Sequence, residues 1–548
     1  MKKFNKKTII LILYILITLI VVSVPLKNKG TPIGDDYGFH FARIQGICDG
    51  LKSGIFPVKI SGTAANSYGY GSGLFYCNLF LYFPAILKLL AIPGEYVIKI
   101  FMFLATISMF ATTFLSYKHI TKNKMASAIV ATLVVTSFYF MVNLYSRIAI
   151  GEYLGMIFLP LVIAGMWDFI YNDFKKPIFI VLGMTGIIFS HILTVVIALV
   201  FCIFFTIINL KKVIFNKSNI LKMLLCIFVV AMLTMAFWAP MLEQLMSQKF
   251  QFQASTLRHT YDVSINLKDV FNNKKENGIF SFGYMQSIIF IINIIFGILY
   301  WKKLERFDKQ LYVMNILSIF LVVCGTFWKV VKIFDIIQFP FRLYGIATIL
   351  NSMMFAKMIL VNFDKNDLVK VAVIILIATS FIFLKEIDLL KQYAELPENY
   401  NELPCSLGGG KEYLPQNTLI KDGMEIDYSK LNASNMAISD SKNEINGTKG
   451  NLYFEFENNE NDKTYQIPLF YYKGYKAKLI SKDGEKNLNV KLGKDGLVEI
   501  ENINEKGKII VCYEDTLIQK ISYIVTILTI IILCFFYIIG KCFALPII

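Results

Sequence analysis

About 20 consecutive apolar residues let an α-helix cross a hydrocarbon layer ~30 Å thick. Runs of that kind, divided by short lysine-bearing stretches, fill most of residues 1–384. Twelve spans are predicted, the first over 8–25 and the others near 97–117, 126–143, 149–170, 177–190, 192–210, 219–239, 285–301, 310–328, 344–361, 367–384 and 518–540. The first follows a lysine-rich start and no small-residue cleavage site comes after it, so it reads as an uncleaved span. The run at 74–92 contains Tyr76, Asn78, Tyr82, Pro84 and Lys88 and reads as a re-entrant or interfacial helix. If it crossed as well as the run at 97–117, Lys118, Lys122 and Lys124 would lie outside; if only the latter crosses, every later lysine cluster falls inside.

The pattern changes near residue 385. From there to 515 polar residues predominate and period-two alternation appears, as in Asn451-Leu-Tyr-Phe-Glu-Phe-Glu457 and Lys508-Ile-Ile-Val-Cys-Tyr513, with turn signals such as Lys482-Asp-Gly between. A small β-sandwich-like or jelly-roll-like module is expected, followed by a last apolar helix within 516–548. The stretch 404–442, with Gly408-Gly-Gly410, reads as an irregular loop over the membrane part.

Composition agrees. A hydrophobic content of 56% and a mean hydropathy of +0.56 over 548 residues exclude an ordinary soluble protein. The formal charge of +16 raises the question of a nucleic-acid partner, but the lysines sit in short loops between apolar runs. That is the positive-inside distribution, so no nucleic acid is expected and the bilayer is the partner. The same rule places the N-terminus in the cytoplasm. It places 26–95, the turns at Arg147 and Ser190-His191, 241–284, 329–343 and the polar domain outside.

The expected fold class is therefore a polytopic α-helical membrane protein of about 12 transmembrane helices, with a C-terminal extracytoplasmic β-sandwich-like domain before the last helix. Its parts are a transmembrane domain over 1–384 with a first outer loop at 26–95, a β-rich domain over 385–515, and a C-terminal helix in 516–548. The nine cysteines are scattered singly without a C-x-x-C. Cys405 and Cys512 bracket the polar domain, and two free thiols are favoured over a disulfide between them.

Ionisable groups beside apolar spans are costly to place and so point to function. Four sets qualify: Asp35 and Asp36 before the helical pattern of Phe39, Phe41, Ile44 and Ile47, Arg147 with Glu152, His191, and Arg342 in Gln338-Phe-Pro-Phe-Arg342. Each also has an ordinary reading. The acids can be a solvated loop with a helix N-cap, Arg147 with Glu152 a structural ion pair, His191 an interhelical hydrogen-bonder, and Arg342 a snorkelling anchor. If the helix starts at Asp36, His40 and Arg43 follow on its side at one-turn intervals. The run Gly69-Tyr-Gly-Ser-Gly73 precedes no Rossmann unit and reads as a flexible aromatic outer loop, with saccharide contact at Tyr68 and Tyr70 as a further reading. Walker A, G-x-S-x-G and H-E-x-x-H motifs are missing. Outward carboxylates, two arginines and apolar walls suit a base that deprotonates an acceptor while cations hold a lipid-linked phosphate.

One span is followed by Asp36-Tyr-Gly-Phe-His40, Arg43-Ile44, Gly54-Ile-Phe-Pro57, Tyr68-Gly-Tyr-Gly71 and Phe75-Tyr76. Arg147 to Glu152, Ser190-His191, Gln338-Phe-Pro-Phe-Arg342, Glu412-Tyr-Leu-Pro415 and Pro468-Leu-Phe-Tyr-Tyr-Lys-Gly-Tyr475 come later. This order resembles the bacterial membrane proteins labelled 6-pyruvoyl-tetrahydropterin synthase-related or YfhO-like, which look like GT-C-fold glycosyltransferases. The resemblance implies sugar transfer from a polyprenyl-phosphate-linked donor to an envelope glycan, glycolipid or protein on the outer face. It implies Asp36 as base, assisted or replaced by Asp35. Arg147 and Arg342 would contact phosphate, and Glu152 and His191 would orient the acceptor or Asp36. His40, Arg43, Tyr68, Tyr70, Glu412 and Tyr413 complete the expected substrate-binding set. GT-C enzymes often carry Asp-Glu where this chain has Asp35-Asp36, and some bind a divalent cation; no motif here requires one, so metal and cofactor stay unassigned. The pterin label implies no activity, since zinc-binding histidines are missing. Two other classes compete: a lipid or polysaccharide transporter, which should carry midplane charges, and a non-catalytic envelope scaffold.

Overall fold

The computed structural model describes residues 6–31, 34–254, 259–271, 281–364, 367–391, 407–421, 425–428, 448–459 and 463–542. Each apolar run is helical where described. The helices are α1 (Lys6–Val22), α2 (Tyr37–Lys52), α3 (Tyr82–Leu89), α4 (Gly94–Thr121), α5 (Lys124–Val135), α6 (Phe138–Ser146), α7 (Ile150–Tyr171) and α8 (Ile178–Ser190). There follow α9 (Ile192–Ile207), α10 (Lys217–Leu233), α11 (Met235–Ser247), α12 (Tyr284–Tyr300), α13 (Arg306–Val323), α14 (Tyr344–Asn362), α15 (Asp367–Lys391) and, after the β-rich part, α16 (Leu517–Cys542). Among the described residues six helices are long and apolar enough to cross a membrane, and up to eight if each of two bent pairs is one span. The chain is a multi-pass membrane protein, and among the described residues fewer helices have a full crossing length than the twelve apolar runs imply.

The difference has local causes. The run at 126–143 is bent by 50° between α5 and α6, where Ser137 caps the new turn by accepting from the Phe140 amide at 3.4 Å. The run at 219–239 bends by 71° between α10 and α11. Pro240 lies inside α11 and cannot donate to the preceding turn. The Ala236 amide, close to the bend, donates to Thr526 Oγ1 of α16 at 3.0 Å, so a neighbouring helix satisfies it. Helices α8 and α9 have 13 and 16 residues and meet at His191. At 1.5 Å per residue they reach roughly 20 and 24 Å, short of a ~30 Å hydrocarbon layer. The run at 74–92 forms only short helical pieces, with Leu79, Phe83 and Ile86 exposed along one side of Leu79–Leu89. That is too short to cross and fits the interfacial reading.

The β-rich part holds β1 (Ile420–Lys421), β2 (Glu425–Ile426), β3 (Thr448–Gly450), β4 (Tyr453–Asn458), β5 (Lys463–Phe470), β6 (Tyr475–Ser481), β7 (Gly484–Leu488), β8 (Val490–Leu492), β9 (Leu497–Ile503) and β10 (Gly507–Tyr513). A five-stranded sheet runs β3-β4-β10-β6-β7 and a three-stranded one β5-β9-β8, with every pairing antiparallel. Alternate residues such as Phe454, Phe456, Leu479, Ile509 and Val511 face Ile467, Leu469, Val498 and Ile500 in one shared core. This gives the sandwich expected from the alternation. Cys405 and about half of 404–442 lie outside the described residues.

The sandwich is fastened to the helical part by the loops before and after it. Phe250 pairs with Pro415, and the Gln251 and Phe252 amides donate to the carbonyls of Leu414 and Glu412 at 3.0 and 3.1 Å. Lys59 reaches Asp515 at 2.5 Å and Gln519 at 2.7 Å. The Gly/Tyr run, expected to be flexible, is instead tied down: Ser61 pairs with Tyr70, and the Phe470 amide donates to the Tyr68 carbonyl at 2.8 Å. Its tyrosines enter the sandwich core because a tyrosine ring leaves water at a large gain and the glycines let the backbone approach.

Candidate functional site

Helix α6 ends in a wide turn over Val142–Ser146, and the chain passes through Arg147, Ile148 (φ 54°) and Ala149 before α7 begins. The loop carrying Asp35 and Asp36 lies on this break. The Asp36 amide donates to the Arg147 carbonyl at 3.0 Å. Gly34 makes the approach feasible, because a methyl group there would lie 1.8 Å from the Ser146 carbonyl oxygen. Gly34→Ala should therefore lift the loop off the break, seen as a lower melting temperature and faster protease cleavage of the loop. Gly409→Ala, with open space around that position, should change neither. Equal behaviour of the two variants would refute the docking.

Asp36 occupies the N-cap position of α2, yet its side chain makes no capping hydrogen bond. The solvated-cap reading of this acid thus fails on geometry: the carboxylate is half-buried and faces arginines rather than its own helix. Burial pushes its pKa up to about 6, while Arg147 and Arg342 pull it down and Asp35 and Glu152 add to the rise. Asp35 is exposed.

Glu152, in the first turn of α7, is the anion that binds both arginines. Its Oε2 accepts from Arg147 Nη1 and Arg342 Nε, each at 3.2 Å, and its Oε1 accepts from the Tyr139 hydroxyl. Arg147 also donates to Asn143 Oδ1 at 2.8 Å and lies over the Phe341 ring at 5.2 Å. Arg342 donates to the Ile337 carbonyl at 2.6 Å and Gln338 Oε1 at 3.0 Å, and stacks on Phe339 at 5.0 Å. Both arginines are buried, so Arg342 is no snorkelling anchor. These bonds leave Arg147 Nε and Nη2 and Arg342 Nη2 without a hydrogen-bond partner among the described residues, and none is sealed from solvent.

On α2, His40 Nδ1 lies 3.3 Å from Arg43 Nη1. Burial, with Arg43 and His191 nearby, holds His40 well below the usual imidazole range, so it is neutral. Arg43 is spent internally, donating to the carbonyls of Tyr76 and Cys77 at 2.9 Å each and to Asn78 Oδ1 at 2.9 Å. His191 Nδ1 lies 2.9 Å from Thr194 Oγ1, and its ring centroid is 5.9 Å from that of Tyr76. Tyr413 stacks on Phe75 at 5.4 Å and approaches Phe39 at 6.4 Å, while Glu412 packs beside Gly408, next to Phe39.

The structure thus brings Asp36, Arg147, Glu152, Arg342, His191, His40 and Arg43 together at the end of the helical part that carries the sandwich, with Tyr413 and Glu412 on its rim. Tyr70 supports this rim, its ring centroid 6.0 Å from that of Tyr413. Tyr68 is buried instead against Phe470 and Tyr428. Tyr139 and Asn143 sit in a run that reads as a plain span, and Tyr76 stands out in the sequence as a polar interruption of an interfacial run and within Phe75-Tyr76, neither of which gives it a binding role. No group of three or more His, Cys, Asp or Glu side chains is placed to hold a metal among the described residues.

No family model matches the chain. An uncharacterized protein of Lactococcus lactis subsp. cremoris (strain MG1363) is 25% identical over 224 residues, which are 40% of this chain and 35% of that protein. The apo oligosaccharyltransferase of Archaeoglobus fulgidus is similar with a TM-score of 0.41 and 12% identity, over 72% of this chain and 57% of that one. The matched region is about a third of the first protein and somewhat over half of the second.

Proposed function

We propose that this protein is a membrane glycosyltransferase of the GT-C kind that moves a sugar from a polyprenyl-phosphate-linked donor to a cell-envelope acceptor. One observation carries the reading: a half-buried carboxylate, Asp36, that makes no hydrogen bond among the described residues lies beside two buried arginines with N–H donors left unpartnered among the described residues. A transporter path would spread its charges through the midplane, whereas these gather at one end beside the sandwich. With the positive-inside lysine distribution, that end is the extracytoplasmic one.

In the transfer, Asp36 takes the proton of an acceptor hydroxyl as that oxygen bonds to the sugar's anomeric carbon. The bond from that carbon to the phosphate oxygen breaks, and its electron pair leaves with polyprenyl phosphate. Arg147 and Arg342 stabilise the added negative charge through charge-assisted hydrogen bonds. Glu152 holds both arginines in place. Neutral His40 and His191 leave the net charge unchanged, and Tyr413 and Phe39 offer aromatic faces to a sugar.

The test is to incubate the purified protein with a panel of polyprenyl-phosphate sugars and follow release of polyprenyl phosphate and labelling of envelope acceptors. Release dependent on the protein is expected with at least one sugar. No release and no donor binding with any of them would favour the transporter or the scaffold.

A further inference from the structure

The Tyr76 hydroxyl sits in this cluster without a task in the mechanism above. Its ring lies under the Arg43 guanidinium at 4.1 Å, meets His40 edge-on at 5.8 Å and approaches His191 at 5.9 Å. Arg43 also grips its backbone carbonyl, so the ring is clamped on several sides. The hydroxyl end runs to the first turn of α7 and is accommodated by Gly151: a methyl group there would lie 1.4 Å from the hydroxyl oxygen. The next residue is Glu152, which binds both arginines. Yet the hydroxyl has no hydrogen-bond partner among the described residues, and it is not sealed from solvent. A clamped ring whose polar tip has no partner among the described residues, next to the turn carrying Glu152 and within electrostatic reach of Arg342, is an arrangement preorganised for a ligand. Burial pushes the phenol's pKa above its ordinary value, with Asp36 and Glu152 adding to the rise, so it cannot serve as the base. It is a donor, and the group that takes a donor here is an oxyanion.

We propose that the Tyr76 hydroxyl donates a hydrogen bond to a phosphate oxygen of the lipid-linked donor, as a third phosphate ligand beside Arg147 and Arg342. This rests on the glycosyltransferase reading and adds to it a specificity element: Tyr76 recognises a phosphate held at the first turn of α7. A neutral donor aids a monophosphate whose charge grows as the sugar leaves, and adds no positive charge to a site already holding two arginines.

Tyr76→Phe keeps the ring and its stacking and removes only the hydroxyl. The full-length protein in detergent is compared with wild type for binding of polyprenyl monophosphate and for transfer. The expected result is about 5- to 50-fold weaker polyprenyl-phosphate binding and a similar loss in kcat, with an unchanged melting temperature and an unchanged acid limb of the pH profile, which belongs to Asp36. Gly151→Ala, which displaces the hydroxyl from the other side, should reproduce the loss. Wild-type transfer with an unaffected Tyr76→Phe variant would overturn the role of Tyr76 alone. Wild-type protein that neither transfers nor binds polyprenyl phosphate would overturn the glycosyltransferase reading and this inference with it.

Discussion

Replacing Asp36 with Asn is expected to lower sugar transfer by about 10²–10⁴-fold, the range of a general base. The amide matches the carboxylate in shape and cannot take the acceptor's proton. The pH dependence carries a separate signature. A base works when ionised, and Asp36 titrates at about 6, so the wild-type rate should rise with pH through that value and level off above it. The sign for stability is the opposite. A carboxylate whose folded pKa is raised favours folding while protonated, below its unfolded pKa, and that contribution is lost as pH rises through about 6. At neutral pH Asp36→Asn should therefore melt no lower than wild type, which separates a catalytic loss from a folding defect. Asp35→Asn, at an exposed position, should leave most of the activity in place. Full transfer by the Asp36 variant, or a rate indifferent to pH around 6, would remove Asp36 from the role of base.

The second large effect is on stability. Glu152→Ala removes the carboxylate that Arg147, Arg342 and the Tyr139 hydroxyl share, and leaves two arginines buried without their counter-ion. Breaking a buried ion pair from one side costs roughly 3–5 kcal/mol, because the abandoned charge loses both water and partner. A clear fall in melting temperature in detergent is expected, together with loss of transfer. Glu152→Gln should lie between, since its amide oxygen still accepts from one arginine. An Ala variant that melts with wild type would show that Arg147 and Arg342 find solvent or other partners, and the cluster would lose its organising anion.

The acid before α2, the ionisable pair in Arg147 to Glu152, and Arg342 behind two phenylalanines and a proline could all be read from the chain, because a charge beside an apolar run is conspicuous. So could most helices, whose apolar runs need no partner to form, and the strands that obey period two. The sequence by itself determined these local features, and within the acid pair only the family resemblance, through the Asp-x-x-x-His spacing to His40, pointed to Asp36. It did not show that Asp36 leaves its helix uncapped, since any acid at that position scores as a cap.

The tertiary structure alone decided the rest. Glu152 and Arg342 are 190 residues apart, and no periodicity links them. They meet because α6 breaks before α7 and the segment before α14 folds against that break. The bends at Ser137 and between α10 and α11 depend on a side-chain cap and on Thr526 of a distant helix, so hydropathy counts straight spans where the chain turns. Tyr68 illustrates the same limit: a glycine-flanked tyrosine reads as a mobile loop until the sandwich that buries it is present. Tyr76 is the extreme case, since its position follows from Arg43, His191 and Gly151 on three separate elements. Apolar burial sets which residues leave water, but which polar groups then share the remaining space is settled only by packing between elements far apart in the chain.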